Sequence, residues 1–302
     1  MMRASLVILL VLVQLSAGCA QQPEQAAADY TDDLTTLLPP DASLQTIAEH
    51  VLAVEEAAST TRALGLHFAN MTEEEAYRIQ ALALEKAIGA GDALAGWKMG
   101  GTRITSPDQV PWPSFGYMLA SNRLEDGATI ESSVFVGDSV QVEAEIAFYI
   151  EADLPGPVVT ERDISSAVTA GGAIELVSVR QLPVNGQLPP MPNMIAGRLM
   201  HAGFVEGATR LPLDEVDLAA EMATATLNGE AAAMGAGAQI MGTNPKEALL
   251  WLANELPRHG RYLRAGDVVV TGSLYDNPVM KAGDEIRVSF TNFGELSLKM
   301  AE

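Results

Sequence analysis

Gln141-Val-Glu-Ala-Glu-Ile-Ala-Phe-Tyr-Ile150 reads as a β-strand, because Val, Ile, Phe and Tyr dominate it. Side chains two apart on a strand share a face, so Glu143 and Glu145 stand side by side. Two readings are open. The pair is either the acidic outer face of an amphipathic strand or a pair of enclosed carboxylates. Val142, Ala144 and Ile146 occupy the other face, but Phe148, Tyr149 and Ile150 continue without alternation, which argues for burial on both sides. Enclosed like charges repel and lose their water. A divalent cation held by both resolves each cost.

Three further segments belong with this pair. Gly171-Gly-Ala-Ile-Glu-Leu-Val-Ser-Val-Arg180 is an apolar strand carrying Glu175 and ending in the cation Arg180. Lys98 lies in Gly96-Trp-Lys-Met-Gly-Gly-Thr102, where bulky apolar neighbours suggest a core strand and not a surface lysine. Val268-Val-Val-Thr-Gly-Ser273 is a buried strand ending in small hydroxyl residues, Ser273 last. Three carboxylates (Glu143, Glu145 and Glu175) plus waters make an oxygen-rich octahedral set, which suits Mg²⁺ first and Mn²⁺ second. The single cysteine and scattered histidines offer nothing for zinc.

Outward from this centre, helical periodicity starts at about Ala42 and runs through Leu44, Ile47, Ala48, Val51, Val54 and Ala57. A second helix starts near Thr72, with Glu75 completing a capping box, and stops near Gly89 and Gly91. Strands then dominate, at 95–99, 128–130, 140–150, 173–179, 221–227, 268–271 and 285–290, with one helix over 244–256. Gly266-Asp267 and Gly283-Asp284 read as turns before strands. Met234-Gly-Ala-Gly237 lacks the strand–helix context of a dinucleotide fingerprint.

The N-terminus reads as a targeting segment. Met1-Met-Arg3 precedes an apolar stretch from Ala4 to Val13, short for a membrane span but of signal-peptide proportions. Leu15-Ser-Ala-Gly-Cys19 resembles a bacterial lipobox. Lipidation of Cys19 makes the chain an exported, membrane-anchored lipoprotein. Ala20 and Gln21 lack the aspartate that often retains lipoproteins at the inner membrane, which points to the outer one in a Gram-negative cell. The alternatives are an ordinary cleaved signal and a periplasmic protein, or a cytoplasmic one if the signal is silent. The expected segments are 1–19 signal peptide, 20–41 flexible acidic tether, 42–93 helical subdomain and 94–302 β-rich catalytic domain. The net charge of −21, from 39 acidic and 18 basic residues, argues against nucleic acid or an anionic membrane surface as a partner. A membrane enters only through a lipid at Cys19.

The chain resembles the fumarylacetoacetate hydrolase superfamily. Within it, the chain is similar to the branch of 2-hydroxypentadienoate (2-keto-4-pentenoate) hydratases and 4-oxalocrotonate decarboxylases of meta-cleavage pathways. Matching stretches run from about Ile47 to the C-terminus and include Met71-Thr-Glu-Glu-Glu-Ala-Tyr-Arg-Ile-Gln80, Gly96-Trp-Lys-Met-Gly100, Pro113-Ser-Phe-Gly116, Val142-Glu-Ala-Glu-Ile-Ala-Phe148, Leu227-Asn-Gly229, Trp251-Leu-Ala-Asn254 and Leu263-Arg-Ala-Gly-Asp-Val-Val-Val-Thr-Gly-Ser273. The resemblance implies an α+β fold, with an N-terminal helical layer on a β-rich mixed barrel-like domain, and a homo-oligomer. It also implies a metal held by Glu143, Glu145 and Glu175, with Lys98 in the active site. Departures are Ser114, Ser178, Val179, Gly197 and Arg198, where relatives carry other residues. They leave the natural substrate open.

The implied activity is metal-dependent hydration of 2-hydroxy-2,4-dienoates through a metal-stabilised enolate. Lys98 is the candidate for acid–base or electrostatic help, and Arg180 and Ser273 are candidates for binding substrate oxygens. The implied partner is a small 2-oxo or 2-hydroxydienoic acid. Decarboxylation of a 2-oxo acid uses the same enolate. Hydrolysis of an acylpyruvate needs a histidine base. Of His50, His67, His201 and His259, only His201, following Arg198, is worth testing for it. A non-catalytic lipoprotein that binds a small carboxylate is the rival from outside enzymology.

Overall fold

A computed structural model describes residues 34–106 and 108–302. The signal and lipobox stretch, Cys19 included, lies outside the described residues, as does most of the expected tether. Within the remainder, Leu34–Leu37 form a 3-10 turn and Leu38 is buried.

Helices lead. They are α1 (Leu44–Glu56), α2 (Ala63–His67) and α3 (Glu73–Gly89). Both long helices start where side chains satisfy the first free amides: Ser43 accepts from the Thr46 amide, and Thr72 and Glu75 form a reciprocal capping box. Ile47, Ala48, Val51 and Val54 of α1 and Ala76, Ile79, Ala83 and Leu84 of α3 are buried. Each Ile, Val or Leu among them adds about 1.5–3 kcal/mol when fully removed from water.

Then come β1 (Leu94–Gly100), β2 (Ser114–Leu119), β3 (Arg123–Leu124), β4 (Thr129–Ile130), β5 (Ser139–Ile150), α4 (Glu161–Ala167) and β6 (Val168–Val177). They are followed by α5 (Met191–Ala196), β7 (His201–Glu206), β8 (Leu211–Pro212), β9 (Met222–Leu227) and β10 (Glu230–Ala236). The last elements are α6 (Pro245–Glu255), β11 (Val268–Val270), β12 (Val279–Lys281), β13 (Glu285–Phe290) and β14 (Gly294–Met300). Among the described residues, one curled sheet runs β2-β1-β11-β5-β6-β7-β3, with β12 added to β5 and β8 to β6. A second runs β10-β9-β13-β14-β4. The fold is α+β, a helical layer on a mixed half-barrel sheet.

The two faces of the curled sheet differ. Val142, Ala144, Ile146 and Phe148 of β5 join the main core with Trp97, Met99, Phe115, Ile79 and Leu84. The odd-numbered positions of β5 belong to the other face. The ladder carries that face across β11 and β1, since Ala147 lies opposite Val270 and Val270 opposite Lys98. A small apolar cluster lies there, with Met118, Ala147, Tyr149, Ala173, Phe204, Val268 and Val270 among its members. It floors the ground on which the glutamates stand.

The strand expected over 173–179 is corrected. It is Val168–Val177, starting earlier and ending before Ser178. A register shift at Leu176/Val177 sets Val177 against His201, and the chain then leaves the sheet. Arg180 is therefore not a strand-end cation. The strands at 114–119, 201–206, 230–236 and 294–300 are additions to the expected set.

Candidate metal centre

Glu143 on β5 lies directly opposite Glu175 on β6, and Glu145 lies one pleat further along the same face. Oxygen atoms from the three carboxylates come within 4.8 Å of one another. Glu145 and Glu175 are fully buried, and Glu143 is half-buried, so the cluster meets solvent on the Glu143 side. The acidic-outer-face reading of the strand therefore gives way to enclosed carboxylates.

Each carboxylate is pinned by one oxygen. Asn277 Nδ2 donates to Glu143 Oε1 at 2.6 Å. The Gly272 amide donates to Glu145 Oε2 at 2.5 Å. Gly272 has φ +109°, and a Cβ there would sit 2.1 Å from Thr102 Oγ1, so the turn that aims this amide needs glycine. Lys98 Nζ lies 3.1 Å and His201 Nδ1 2.9 Å from Glu175 Oε1. Glu145 Oε1 and Glu175 Oε2 are left buried with no hydrogen-bond partner.

Three carboxylates against one lysine leave an excess of negative charge, and an unpaired buried ion costs several kcal/mol. Burial, then the charge of Glu175 and of Glu143, pushes Glu145 well above the ordinary carboxylate range. Burial and Glu175 also push Glu143 up. Burial works upward on Glu175 too, but Lys98 and His201 outweigh it and hold this carboxyl below the usual range. Burial works downward on Lys98, yet the three glutamates win and keep its ammonium charged. Burial takes His201 down to about 4, so its ring is neutral. An all-oxygen set with two unsatisfied buried oxygens and surplus negative charge fits a hard divalent cation.

Ser273 Oγ lies 2.8 Å from Asn277 Oδ1 and 2.9 Å from the Tyr275 carbonyl, one residue removed from Glu143. Arg180 is buried, but it pairs with Glu55 of α1 at 3.0 Å and donates to the His201 carbonyl. Among the described residues, its contacts lead to the three clustered carboxylates through His201. Arg198 also contacts Glu55, and its guanidinium covers the Tyr117 ring at 4.6 Å. Arg198, Leu199 and Met200 have φ of 53°, 52° and 62°. Left-handed backbone costs an L-residue about 1–2 kcal/mol.

The family described as fumarylacetoacetate (FAA) hydrolase, C-terminal, matches residues 90–301. The chain belongs to the fumarylacetoacetate hydrolase family. Among its relatives, 2-hydroxyhexa-2,4-dienoate hydratase of Comamonas testosteroni is 30% identical over 86% of this chain and 98% of its own. The 2-keto-4-pentenoate hydratase of Burkholderia vietnamiensis is 33% identical over 75% of this chain and 86% of its own. The solved 4-oxalocrotonate decarboxylase from Pseudomonas putida G7, complexed with magnesium and adipate, superposes with a TM-score of 0.78 at 26% identity, covering 85% of this chain and 97% of that one.

Seen as a fumarylacetoacetate hydrolase family member, the chain brings Glu143, Glu145, Glu175 and Lys98 together, with Ser273 at the edge. Sequence reasoning missed Asn277, the Gly272 amide and Glu55. Asn277 had a weak signal, four residues after Ser273 in the same turn. Glu55 had none, because it is a polar residue near the end of an amphipathic helix.

Proposed function

We propose that the chain is a metal-dependent hydratase of 2-hydroxy-2,4-dienoates. The observation that carries this is the pair of unpartnered, buried oxygens, Glu145 Oε1 and Glu175 Oε2, in a cluster of three carboxylates. Relatives at 30% and 33% identity are dienoate and pentenoate hydratases, which supports the substrate class. Glu143, Glu145 and Glu175 would hold the cation, Mg²⁺ in preference to Mn²⁺. When bound, it supplies positive charge for the carboxylate and 2-oxygen of a 2-oxo acid.

Hydration has two parts. The 2-hydroxyl proton leaves as a proton adds at C5, giving the unsaturated 2-oxo acid. Water then adds at C4, and C3 takes its proton. Lys98 is the candidate to steady negative charge at the 2-oxygen, a role supported by its buried ammonium 3.1 Å from Glu175. Ser273 stands at the partly open side, next to Glu143 through Asn277, and is the candidate for a substrate oxygen. Arg180 acts from behind, through the His201 carbonyl.

A second reading, decarboxylation of a 2-oxo acid, is favoured by the likeness to 4-oxalocrotonate decarboxylase. Incubating the protein with Mg²⁺ and 2-hydroxypenta-2,4-dienoate or 4-oxalocrotonate, then identifying products by NMR, separates them. A 4-hydroxy-2-oxo acid from the dienoate supports the hydratase. Carbon dioxide from oxalocrotonate alone replaces it with the decarboxylase, and no turnover of either removes both. We further propose a lipid anchor at Cys19 on an exported chain. Fatty-acid labelling lost in Cys19→Ser supports it, and equal labelling removes it. A homo-oligomer is the proposed assembly, read by light scattering.

A further inference from the structure

The two oxygens of Glu175 are used unequally. Oε1 meets both Lys98 and His201, and Oε2 meets nothing. An ionised carboxylate only accepts hydrogen bonds, so His201 Nδ1 donates and carries the ring proton. His201 Nε2 is left as a buried acceptor without a partner. Whether the imidazole merely fills space or has been aimed is decided by the backbone behind it. Three consecutive non-glycine residues in the left-handed region, Arg198 to Met200, lead directly into His201. Such a run persists only where its surroundings over-determine it.

Those surroundings are polar and specific. The buried Arg198 guanidinium reaches Glu55 on α1 and Asn122 Oδ1 at 3.2 Å. The Ser178 amide donates to the Met200 carbonyl at 3.1 Å. Arg180 donates to the carbonyl of His201 itself and is held by the same Glu55. The turn is thus fastened before, within and after, and it leads into His201, whose side chain has no exposed surface.

We propose that His201 is a positioning residue, whose Nδ1–H holds Glu175 so that Oε2 is presented to the cation, and that the left-handed turn at Arg198–Met200, clamped by Glu55, delivers it. This rests on the metal site of the proposed hydratase. Hydrogen bonds to ligating carboxylates orient the ligand, and losing one typically costs about 10–100-fold in metal affinity.

The chemistry of the two ring nitrogens gives the test. An asparagine amide nitrogen takes the place of Nδ1, whereas a glutamine amide nitrogen takes the place of Nε2. Metal-stripped wild type, His201→Asn and His201→Gln are titrated with Mg²⁺ by calorimetry, with metal-free melting temperatures as a folding control. His201→Asn should stay within about threefold of wild type, and His201→Gln should weaken binding about 10–100-fold. Equal weakening in both, at matched melting temperatures, overturns the proposal. Wild type that takes up no Mg²⁺ sinks the metal reading itself. Independently of any metal, ¹⁵N NMR of the stripped wild type should show a pyrrole-type Nδ1 and a pyridine-type Nε2 at His201. The reverse tautomer overturns the proposal on its own.

Discussion

Glu143 and Glu175 are directly opposed across the β5–β6 ladder, each the other's cross-strand partner. Like charges at that position destabilise a sheet. The arrangement is stable only if something offsets the charge, and burial with the charge of Glu175 shifts Glu143 towards its neutral form. A divalent cation held there would offset the same charge.

Glu145→Gln resembles the protonated acid that burial and its neighbours already favour. The metal-free melting temperature should therefore change little. The stabilisation by Mg²⁺ should vanish, where a wild-type protein at a hundred times its Kd gains about 2.7 kcal/mol. Thermal melts with chelator and with Mg²⁺ check this.

Lys98→Met removes the cation that faces Glu175 at 3.1 Å. Breaking a buried pair from one side costs about 3–5 kcal/mol, so denaturant unfolding in chelator should show a loss of that order. Added Mg²⁺ should recover part of it, and turnover should fall by about 10²-fold or more.

Gly272→Ala puts a methyl group against Thr102 Oγ1 and strains a backbone at φ +109°. The strain costs about 1–3 kcal/mol and displaces the amide that pins Glu145. Both the denaturation midpoint and Mg²⁺ affinity should drop, and an unchanged affinity would show that the amide does not place Glu145.

Asp267 gives a pH signature away from the glutamates. Burial raises its pKa, although the Arg264 backbone and Trp97 pull the other way. A carboxyl with a raised folded pKa stabilises most below its unfolded value of about 3.9, and the contribution fades as pH rises through the folded value. Asp267→Asn keeps an acceptor for Trp97 and for the Arg264 amide. It should be more stable than wild type at about pH 7, with the gap closing towards about pH 4 in paired melting curves.

What was legible in the sequence follows from what is local. The capping box of Thr72 and Glu75, the α6 start at Asn244 and the unbroken apolar end of β5 each carry their own signal, and the structure has all three. Lys98 was readable as buried from its immediate neighbours, and it is 3% exposed. The strand at Ser114–Leu119 is buried at every position and so shows no alternation. Glu230–Ala236 is alanine-rich and lacks β-branched residues. By contrast, Gly294–Met300 buries Leu296, Leu298 and Met300 in alternation, a local signal that the expected set passed over. The left-handed turn before His201 has no glycine or asparagine to announce it. Its hold, Glu55 on Arg180 and Arg198, joins residues more than a hundred positions apart.

The most direct measurement is the loss of dienoate absorbance when metal-stripped protein and 2-hydroxypenta-2,4-dienoate are titrated with Mg²⁺, beside Glu145→Gln. Metal-dependent hydration requires turnover that rises with Mg²⁺, saturates, is abolished by chelator and is absent in Glu145→Gln. Turnover indifferent to Mg²⁺ and chelator, or retained in full by Glu145→Gln, would contradict it.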